Sequence, residues 1–525
     1  MKKVVFILSL LTSFVAYGHD ATIVVRNQKA FDCMDEAICA AAKEGKKDIL
    51  VKIRCGNYLF HEDYLMLKGL PADVSVTLKG KGVKVFASGR YLQVGDATKN
   101  NYVYYQGKKR SIVRNWTEVE QCEQLIEVVD STSKLCRLKM VSGGSANRGD
   151  VVQISQWYLA YKYDVSDTRD GYVYFIANNL KRCNGGKSWN VNYDYVYGKE
   201  LPRYRIWQTS NSTNSINEGT AMRFVNMRNM NLKSLTMEGI NFCGNANQSS
   251  GALIQMNGVK AEAVNIKDCS FRSCQSTCIS LGNTTNATIS HCKFYDNATT
   301  AIHSGGGCEN THITGCLFEN NSCGWNNTFC INIKGKDFRI DRNVFRDFGY
   351  GAIGIGEHIG DIKVCVTGII EKNEIYYSPE YYSCYKKHTL MDSGAIYLWT
   401  QNDNVIIRNN YIHDYIGTKD NRGIFCDDGA ANFKIIGNRI LRIANSYCID
   451  SRRIKEQHPE KFTNNVNISI TDNTVDGGIR FEGRDEVGNK CVYGNNTIIM
   501  VDGDEPPVMK ISNVKIVKKD IMSRR

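Results

Sequence analysis

A short hydrophobic pattern recurs through the second half of the chain: an apolar residue, two residues, a marker residue, one residue, and an apolar residue. MEGINF, ISHCKF, IDRNVF and IRNNYI are four of the segments that carry it. Ten markers follow one another at spacings of 23 to 37 residues: Ile240, Cys269, Cys292, Cys316, Asn343, Asn373, Asn410, Asn438, Asn473 and Asn496. A period of this length, made irregular by insertions, is typical of a solenoid.

The repeating units predict strands, because they consist of short β-branched and aromatic runs ended by Asn and Gly. Each unit is too small to bury its own apolar face, so the units must stack and place equivalent positions in ladders. Asn at a marker tolerates a left-handed bend and can hydrogen-bond the Asn above and below it. We expect Cys269, Cys292 and Cys316 to be stacked core thiols rather than disulfides.

The repeats resemble those of the right-handed parallel β-helix proteins, the pectin-lyase-like superfamily, over about residues 225 to 515. Near the start, DEAICAAAKEGKKDILVKIRCGNYLF resembles the amphipathic capping helix and first strands of such proteins. The resemblance implies an all-β, right-handed parallel β-helix. Its expected parts are a cap and first turns over residues 19–91, a β-rich insertion over 92–222, and the solenoid over 223–525.

A second apolar run follows each marker, and its side chains should alternate between the core and the outside. We align these runs on the core residues Leu253, Ile279, Ile302, Ile331, Ile353, Ile396, Ile424, Ile449 and Ile479. The first outward column then contains His303, Asn332, Gly354, Tyr397, Phe425, Asp450 and Arg480. The second outward column contains Gly305, Lys334, Gly356, Trp399, Asp427, Arg452 and Glu482.

These columns concentrate aromatic, acidic and basic side chains on a few neighbouring turns, which favours a saccharide site. Aromatic faces stack on sugar rings, carboxylates transfer protons, and arginines hold charged groups. The alternative is a solvated ladder of ion pairs. MDSGAIYLW, NNYIHDY and GIFCDDGA resemble segments of β-helix glycoside hydrolases and add Asp392 and His413 as candidates. The strand end GIGEHIG adds Glu357. The predicted catalytic residues are Asp427, Asp450, Asp428 and Asp392, and the predicted substrate-binding residues are Trp399, Tyr397, Phe425, Arg452, Arg453, His413 and Glu357.

Three functions fit this site. A glycoside hydrolase requires two carboxyl groups, and the backbones of Asp427 and Asp450 should be roughly 8 Å apart, in the range of inverting enzymes. A polysaccharide lyase would bind Ca²⁺ through the carboxylates and use Arg452 or Arg453 to abstract a proton, whereas the hydrolase needs no cofactor. A non-catalytic glycan-binding solenoid would need the aromatic side chains but not the carboxylates.

The first residues, MKKVVFILSLLTSFVAYGHD, predict a signal peptide over residues 1–18. We therefore expect a secreted, periplasmic or cell-surface protein, and no later segment predicts a membrane span. The net charge of +12 falls to +10 without Lys2 and Lys3, which suits an acidic polysaccharide or a solvated basic surface. No basic run interleaved with aromatic residues indicates nucleic acid binding. We expect a monomer.

Overall fold

The computed structural model describes most of the chain after residue 18. The described residues are 19–60, 63–87, 101–105, 108–112, 127–139, 148, 151–156, 159–177, 180–183, 188–191, 203–207, 223–245, 252–274, 276–295, 297, 299–322, 328–356, 366–379, 393–399, 401–416, 421–427, 430–444, 447–451, 467–481, 490–501 and 514–519.

Two short helices close the first turn of the fold: α1 (Gln28–Asp32) and α2 (Met34–Lys43). The side-chain oxygen of Asn27 caps α1 by accepting a hydrogen bond from the backbone N–H of Ala30 at 2.9 Å. Helix α2 buries Met34, Ile38 and Ala42 in the common core. The amphipathic capping helix expected from the sequence is therefore confirmed.

The chain then winds through three parallel sheets, one turn after another. Three long strands bend from one sheet into the next: β5 (Ser75–Ala87), β16 (Arg223–Asn245) and β17 (Ile254–Lys267). Sheet 1 contains the first parts of β16 and β17 together with β4 (Asp63–Leu65), β19 (Ile279–Gly282), β22 (Ile302–Ser304), β25 (Phe329–Ile333), β28 (Gly351–Ile355), β31 (Gly394–Leu398), β34 (Arg422–Cys426), β37 (Tyr447–Ser451) and β40 (Gly478–Phe481).

Sheet 2 contains segments of β5, β16 and β17 with β1 (Ala21–Val25), β2 (Asp48–Ile53), β20 (Ala287–Ser290), β23 (His312–Thr314), β26 (Phe338–Asp341), β29 (Thr367–Glu371), β32 (Gln401–Arg408), β35 (Ala431–Ile436), β38 (Asn467–Thr471) and β41 (Lys490–Gly494). Sheet 3 contains the ends of β5 and β16 with β3 (Gly56–Phe60), β18 (Ser270–Cys274), β21 (Lys293–Tyr295), β24 (Leu317–Glu319), β27 (Val344–Arg346), β30 (Glu374–Tyr376), β33 (Tyr411–His413), β36 (Arg439–Leu441), β39 (Thr474–Val475), β42 (Asn496–Val501) and β43 (Val514–Lys519).

The marker residues form one interior column between sheets 2 and 3, as predicted. Cys269, Cys292 and Cys316 are buried free thiols, and the N–H of Cys316 donates to the Oδ1 of Asn343 at 2.9 Å. From Asn343 onward, the Nδ2 of each Asn donates to the Oδ1 of the Asn on the next turn; for Asn373 and Asn410 this distance is 2.9 Å. The ladder satisfies amide groups that would otherwise be buried without partners.

Two residues after each of the first five markers, a phenylalanine of sheet 3 points into the core, and together these residues form an aromatic ladder. The rings of Phe242, Phe271, Phe294, Phe318 and Phe345 stack in sequence with centroids 4.6 to 5.1 Å apart. This spacing matches the distance between neighbouring strands, so each ring lies directly above the last. The solenoid is thus held together by polar and apolar ladders side by side.

The residues between 92 and 222 that the structure describes form antiparallel strands that lie outside the three parallel sheets. Six of them make one sheet: β8 (Glu127–Asp130), β9 (Leu135–Lys139), β10 (Val151–Gln156), β11 (Leu159–Arg169), β12 (Tyr172–Ile176) and β15 (Arg203–Trp207). Two pairs remain: β6 (Asn101–Tyr105) with β7 (Lys108–Ile112), and β13 (Leu180–Cys183) with β14 (Ser188–Val191).

The predicted register of sheet 1 holds from Ile279 to Ile479, where each aligned isoleucine pairs with the next. The alignment at Leu253 is wrong by one residue, because Ile254 rather than Leu253 pairs with Ile279. Both residues are buried, so hydrophobicity alone does not distinguish them.

Candidate functional site

An aromatic cluster covers the outer face of sheet 1. It consists of Phe329, Tyr350, Tyr397, Phe425 and Trp399. The rings of Phe329 and Trp399 stack with centroids 5.3 Å apart, whereas Tyr397 meets Trp399 at 5.0 Å and Phe425 at 4.9 Å in edge-to-face contacts. Such aromatic pairs contribute stability beyond the area they bury. The cluster is therefore an organised surface over several turns.

Glycine makes room for this cluster on the intervening turn. A Cβ atom at Gly354 would lie 2.4 Å from the Phe329 ring, and one at Gly351 would lie 2.7 Å from it. Phe329 therefore extends over the backbone of β28, which lets it reach the aromatic side chains of β31 one turn further on.

Asp427 lies beside the cluster, at the end of β34. Its Oδ2 accepts a hydrogen bond of 2.5 Å from the hydroxyl of Tyr397, and its N–H donates to the carbonyl oxygen of Leu398 at 2.8 Å. The second contact continues the pairing of β31 with β34, which places Asp427 next to Trp399. Asp427 and Trp399 are both partly exposed. The predicted adjacency of these two residues is confirmed.

Asp450, the predicted catalytic carboxylate of the first outward column, is completely buried between two arginines. Its Oδ2 accepts from the Nε of Arg422 at 2.6 Å, and Arg480 binds it through two nitrogens at 2.6 and 2.7 Å. The guanidinium of Arg422 also lies 4.2 Å from the centroid of the Phe425 ring. Both oxygens of the Asp450 carboxylate are therefore bound by guanidinium groups, as in a structural buried ion pair.

A buried polar network supports the cluster from below. The Oγ of Ser393 lies 3.0 Å from both the hydroxyl of Tyr415 and the Oδ1 of Asn421, and the Tyr415 hydroxyl donates to the carbonyl oxygen of Tyr350 at 2.5 Å. Burial raises the pKa of Tyr415, so this phenol remains protonated. The network joins Ser393 and Asn421, which directly precede β31 and β34, and therefore fixes the backbone at the start of both strands.

The comparisons with known proteins agree with the architecture. Residues 204–328 match the family model described as "Right handed beta helix region". A solved structure titled "Glycoside hydrolase" superposes with a TM-score of 0.50 at 10% identity, covering 90% of this chain and 93% of that one. The chain folds as a right-handed parallel β-helix. The predicted fold class is confirmed.

Two further structures resemble the β-helix protein at lower TM-scores. One is XylC in complex with xylose, with a TM-score of 0.38 and 11% identity over 90% of this chain and 81% of that one. The other is a tailspike protein mutant of the E. coli bacteriophage HK620 in complex with a pentasaccharide, with a TM-score of 0.40 and 9% identity over 94% and 75%. No curated protein sequence matches this chain.

The aromatic side chains of the β-helix protein are less accessible than the sequence suggested. Phe425 is fully buried and Tyr397 is 8% exposed. Phe329 and Tyr350 pack on the Tyr397 ring, whereas Tyr397 and the guanidinium of Arg422 pack on the Phe425 ring. The expectation that Tyr397, Trp399 and Phe425 would all be open to solvent is therefore wrong, and of the three only Trp399 keeps an intermediate exposure. The indole Nε1–H of Trp399 has no hydrogen-bond acceptor among the described residues.

His413 lies on a different sheet from this cluster, in β33 of sheet 3. Its ring stacks on Tyr376 and Tyr411, and its Nδ1 is 2.6 Å from the carboxylate of Asp414, which Arg442 binds at 2.5 and 2.7 Å. The hydrogen bonds from Arg442 hold the pKa of Asp414 below its usual range. The prediction that His413 shares one substrate site with Tyr397 is not supported by this placement.

Five of the predicted site residues fall outside the described residues: Asp392, Asp428, Arg452, Arg453 and Glu357. They remain predictions. Within the described ranges, no three His, Cys, Asp or Glu side chains form a group that could hold a metal ion. No helix in the described part of the chain is long and apolar enough to cross a membrane.

Sequence reasoning missed Phe329, Tyr350 and Arg422. Phe329 and Arg422 each lie two residues before a core isoleucine of sheet 1, a position that contacts the outer face in the structure. Strict alternation would turn this position toward the core, like the isoleucine two residues later, so the sequence pattern gave no signal for these two contacts. On the other aligned turns from Ile279 to Ile479 this position holds glycine three times, threonine twice and tyrosine once, so its composition does not single out Phe329 and Arg422 either.

Proposed function

We propose that this β-helix protein is a secreted carbohydrate-active enzyme, a glycoside hydrolase that cleaves a polysaccharide on the outer face of sheet 1. The observation that carries the proposal is the carboxylate of Asp427, held by the Tyr397 hydroxyl at 2.5 Å beside the partly exposed ring of Trp399. A sugar ring stacked on Trp399 would present its glycosidic oxygen to a carboxyl group on the next turn.

In this proposal Asp427 transfers the proton to or from the reacting oxygen, and Tyr397 is a positioning residue. The hydrogen bond from Tyr397 restricts the rotation of the carboxylate, which keeps it directed at the bound sugar. Hydrolysis needs a second carboxyl group. Asp428 and Asp392 stay the predicted partners, since one follows Asp427 directly and the other precedes the buried Ser393.

A non-catalytic glycan-binding solenoid is the second candidate, and the environment of Asp450 favours it. Asp450 is the carboxylate predicted as the second catalytic group, but both of its oxygens accept hydrogen bonds from the two arginines that enclose it. Among the described residues of β31, β34 and β37, Asp427 is then the carboxylate that stays partly exposed at the cluster. Such a surface could bind a glycan through its aromatic residues and leave it intact.

A polysaccharide panel separates these functions. The purified protein is incubated with neutral and acidic polysaccharides while new reducing ends and the ultraviolet absorbance of unsaturated uronates are followed together. Reducing ends without absorbance support the hydrolase, both signals together indicate the lyase, and binding without either signal indicates the glycan-binding protein.

The matched variants are Asp427→Asn and Asp268→Asn. Asp427→Asn should lower turnover by about two orders of magnitude or more, as expected for a group that transfers a proton in the transition state. Asp268 is an exposed aspartate at a turn between sheets 2 and 3, with a φ of 53° that Asn tolerates, so its variant should keep full activity. Equal activity of both variants would exclude Asp427 from the chemistry.

A further inference from the structure

A cavity lies at the first strands of sheet 1, several turns away from the aromatic cluster. It has a volume of about 640 Å³ and lies between the first turn, residues 63–72, and the second turn, residues 226–231. Strands β4 and β16 pair up to Leu65 and Val225, and β5 pairs with β16 again from Ser75 and Ser234. The two backbones separate between these points, which opens the cavity. Its volume lies in the usual range of small-ligand sites.

The walls of the cavity are fixed in place before any ligand binds. The Oδ1 of Asp35 in α2 accepts hydrogen bonds from the N–H groups of Met66 at 3.0 Å and Leu67 at 2.8 Å. Leu67 and Asn229, on opposite walls, both have a left-handed backbone, with φ of 50° and 48°. A non-glycine residue in this conformation is held there by its surroundings.

The charge inside the cavity is positive. The carboxylate of Asp63 is neutralised by Arg223 at 3.0 and 3.2 Å and also accepts from the Nδ2 of Asn226 at 2.5 Å. Arg228 donates its Nε–H to the Oδ1 of Asn226 at 3.1 Å, and neither Arg228 nor Lys68 forms an ion pair in the described part of the chain. Both cations are exposed at the cavity wall.

The remaining lining combines amide and apolar groups. Asn226, Asn229 and Asn231 offer both donors and acceptors, whereas Met66, Leu70 and Met230 offer apolar surface. Two uncompensated cations, several amides and an apolar wall match the carboxylate, the hydroxyl groups and the ring face of an acidic sugar.

The cavity and the aromatic cluster lie on the same outward column. Starting at Asn226, the paired residues on successive turns are Gln255, Ser280, His303, Asn332, Gly354 and Tyr397. Six steps of about 4.8 Å place the two sites about 29 Å apart along the solenoid. The intervening column is polar, so a long saccharide could contact both ends.

We propose that this cavity binds a carboxylate-bearing sugar unit of the polysaccharide that is processed at Asp427, with Lys68 and Arg228 holding the carboxylate. The inference rests on the proposed function and names the substrate as an acidic polysaccharide long enough to span the two sites.

Calorimetric titration of the full chain with glucuronate, galacturonate, glucose, galactose, acetate and inorganic phosphate tests the cavity directly. A uronate should bind at least tenfold more tightly than its neutral sugar, and the Lys68→Gln/Arg228→Gln variant should lose this preference. The Lys52→Gln/Lys293→Gln variant removes two exposed cations from sheets 2 and 3 and should keep it. Equal binding of acetate, phosphate and uronate, or an unchanged uronate affinity in the cavity variant, would overturn the proposal.

Kinetics distinguishes this proposal from the hydrolase assignment. In the cavity variant, KM for a long acidic substrate should rise about tenfold while kcat, and both constants for a short oligosaccharide, stay unchanged. If uronates bind through Lys68 and Arg228 but Asp427→Asn remains active, the uronate-binding proposal is supported and the catalytic role of Asp427 is excluded. If Asp427→Asn is inactive and no uronate binds, the catalytic role of Asp427 is supported and the uronate-binding proposal is excluded.

Discussion

The hydroxyl of Tyr397 donates a 2.5 Å hydrogen bond to Asp427, and the two residues belong to neighbouring turns of sheet 1. They are 30 residues apart in the sequence. The parallel pairing of β31 with β34 brings them together, and the aromatic cluster holds the Tyr397 ring in place. The contact joins the apolar part of the site to its partly exposed carboxylate.

Removing this hydroxyl should reduce turnover without unfolding the protein. Tyr397→Phe keeps the ring contacts with Phe425 and Trp399, so the melting temperature should change by only a few degrees. Turnover should fall about tenfold, because Asp427 loses the contact that orients it. Tyr376→Phe, on sheet 3, is the control and should leave turnover unchanged. Full activity of Tyr397→Phe would argue against a positioning role.

The environment of Asp450 predicts a stability effect. Asp450→Asn removes the buried carboxylate that binds Arg422, whose side chain is 4% exposed. Breaking a buried ion pair in this way costs on the order of 3 kcal/mol of unfolding free energy. Urea denaturation of the variant measures it, and because the group is buried, the loss should depend little on salt. An unchanged midpoint would show that the three charges are not coupled.

The marker column contains cysteine and asparagine residues, whose contributions to the free energy of unfolding can be compared. Asn410→Ala leaves the N–H and Nδ2 of Asn373 without their shared acceptor and the carbonyl oxygen of Ile370 without a donor. Each unsatisfied buried group costs about 1–3 kcal/mol, so the total loss should be on the order of 3 kcal/mol or more.

Cys292→Ala, in the same column, is the matched variant. The Cys292 thiol donates only weak hydrogen bonds of 3.4 Å to backbone carbonyl oxygens. Its removal should therefore cost clearly less than Asn410→Ala in chemical denaturation. Equal losses would mean that side-chain volume, rather than the amide ladder, dominates the stability of this column.

Asp347 makes the stability of the fold depend on pH. Burial raises the pKa of this carboxyl from 3.8 to about 6, although hydrogen bonds from the N–H and hydroxyl of Ser378 lower it in part. The folded state therefore binds a proton that the unfolded state has lost between about pH 4 and pH 6. Stability should be higher below this window and should fall as the pH rises through it.

Asp347→Asn removes the charge, and Asn keeps an acceptor for Ser378 and tolerates the left-handed φ of 57°. The variant should be more stable than the parent at pH 7.5 by on the order of 1–3 kcal/mol and equally stable at pH 4. Urea denaturation at both pH values provides the measurement. A stability difference that is the same at both would contradict the pH linkage.

The sequence by itself determined the solenoid, its two interior ladders and the register of sheet 1 from Ile279 onward. These features follow from the residues at fixed offsets from each marker, because stacking brings equal offsets into contact. The same logic placed Tyr397, Phe425 and Asp450 in one column, and Trp399 and Asp427 in another. Only at Leu253, where two adjacent apolar residues are both buried, did the pattern give the wrong partner.

The tertiary structure decided which outward residues face solvent. Alternation along a strand shows that Phe425 and Asp450 point away from the core, but residues of neighbouring strands cover them: Tyr397 of β31 packs on Phe425, and Arg422 of β34 binds Asp450 of β37. It also placed His413 on sheet 3 and opened the cavity beside Arg228, where two turns diverge. Side-chain direction is a local property with a period of two, whereas exposure depends on what neighbouring turns place above each residue.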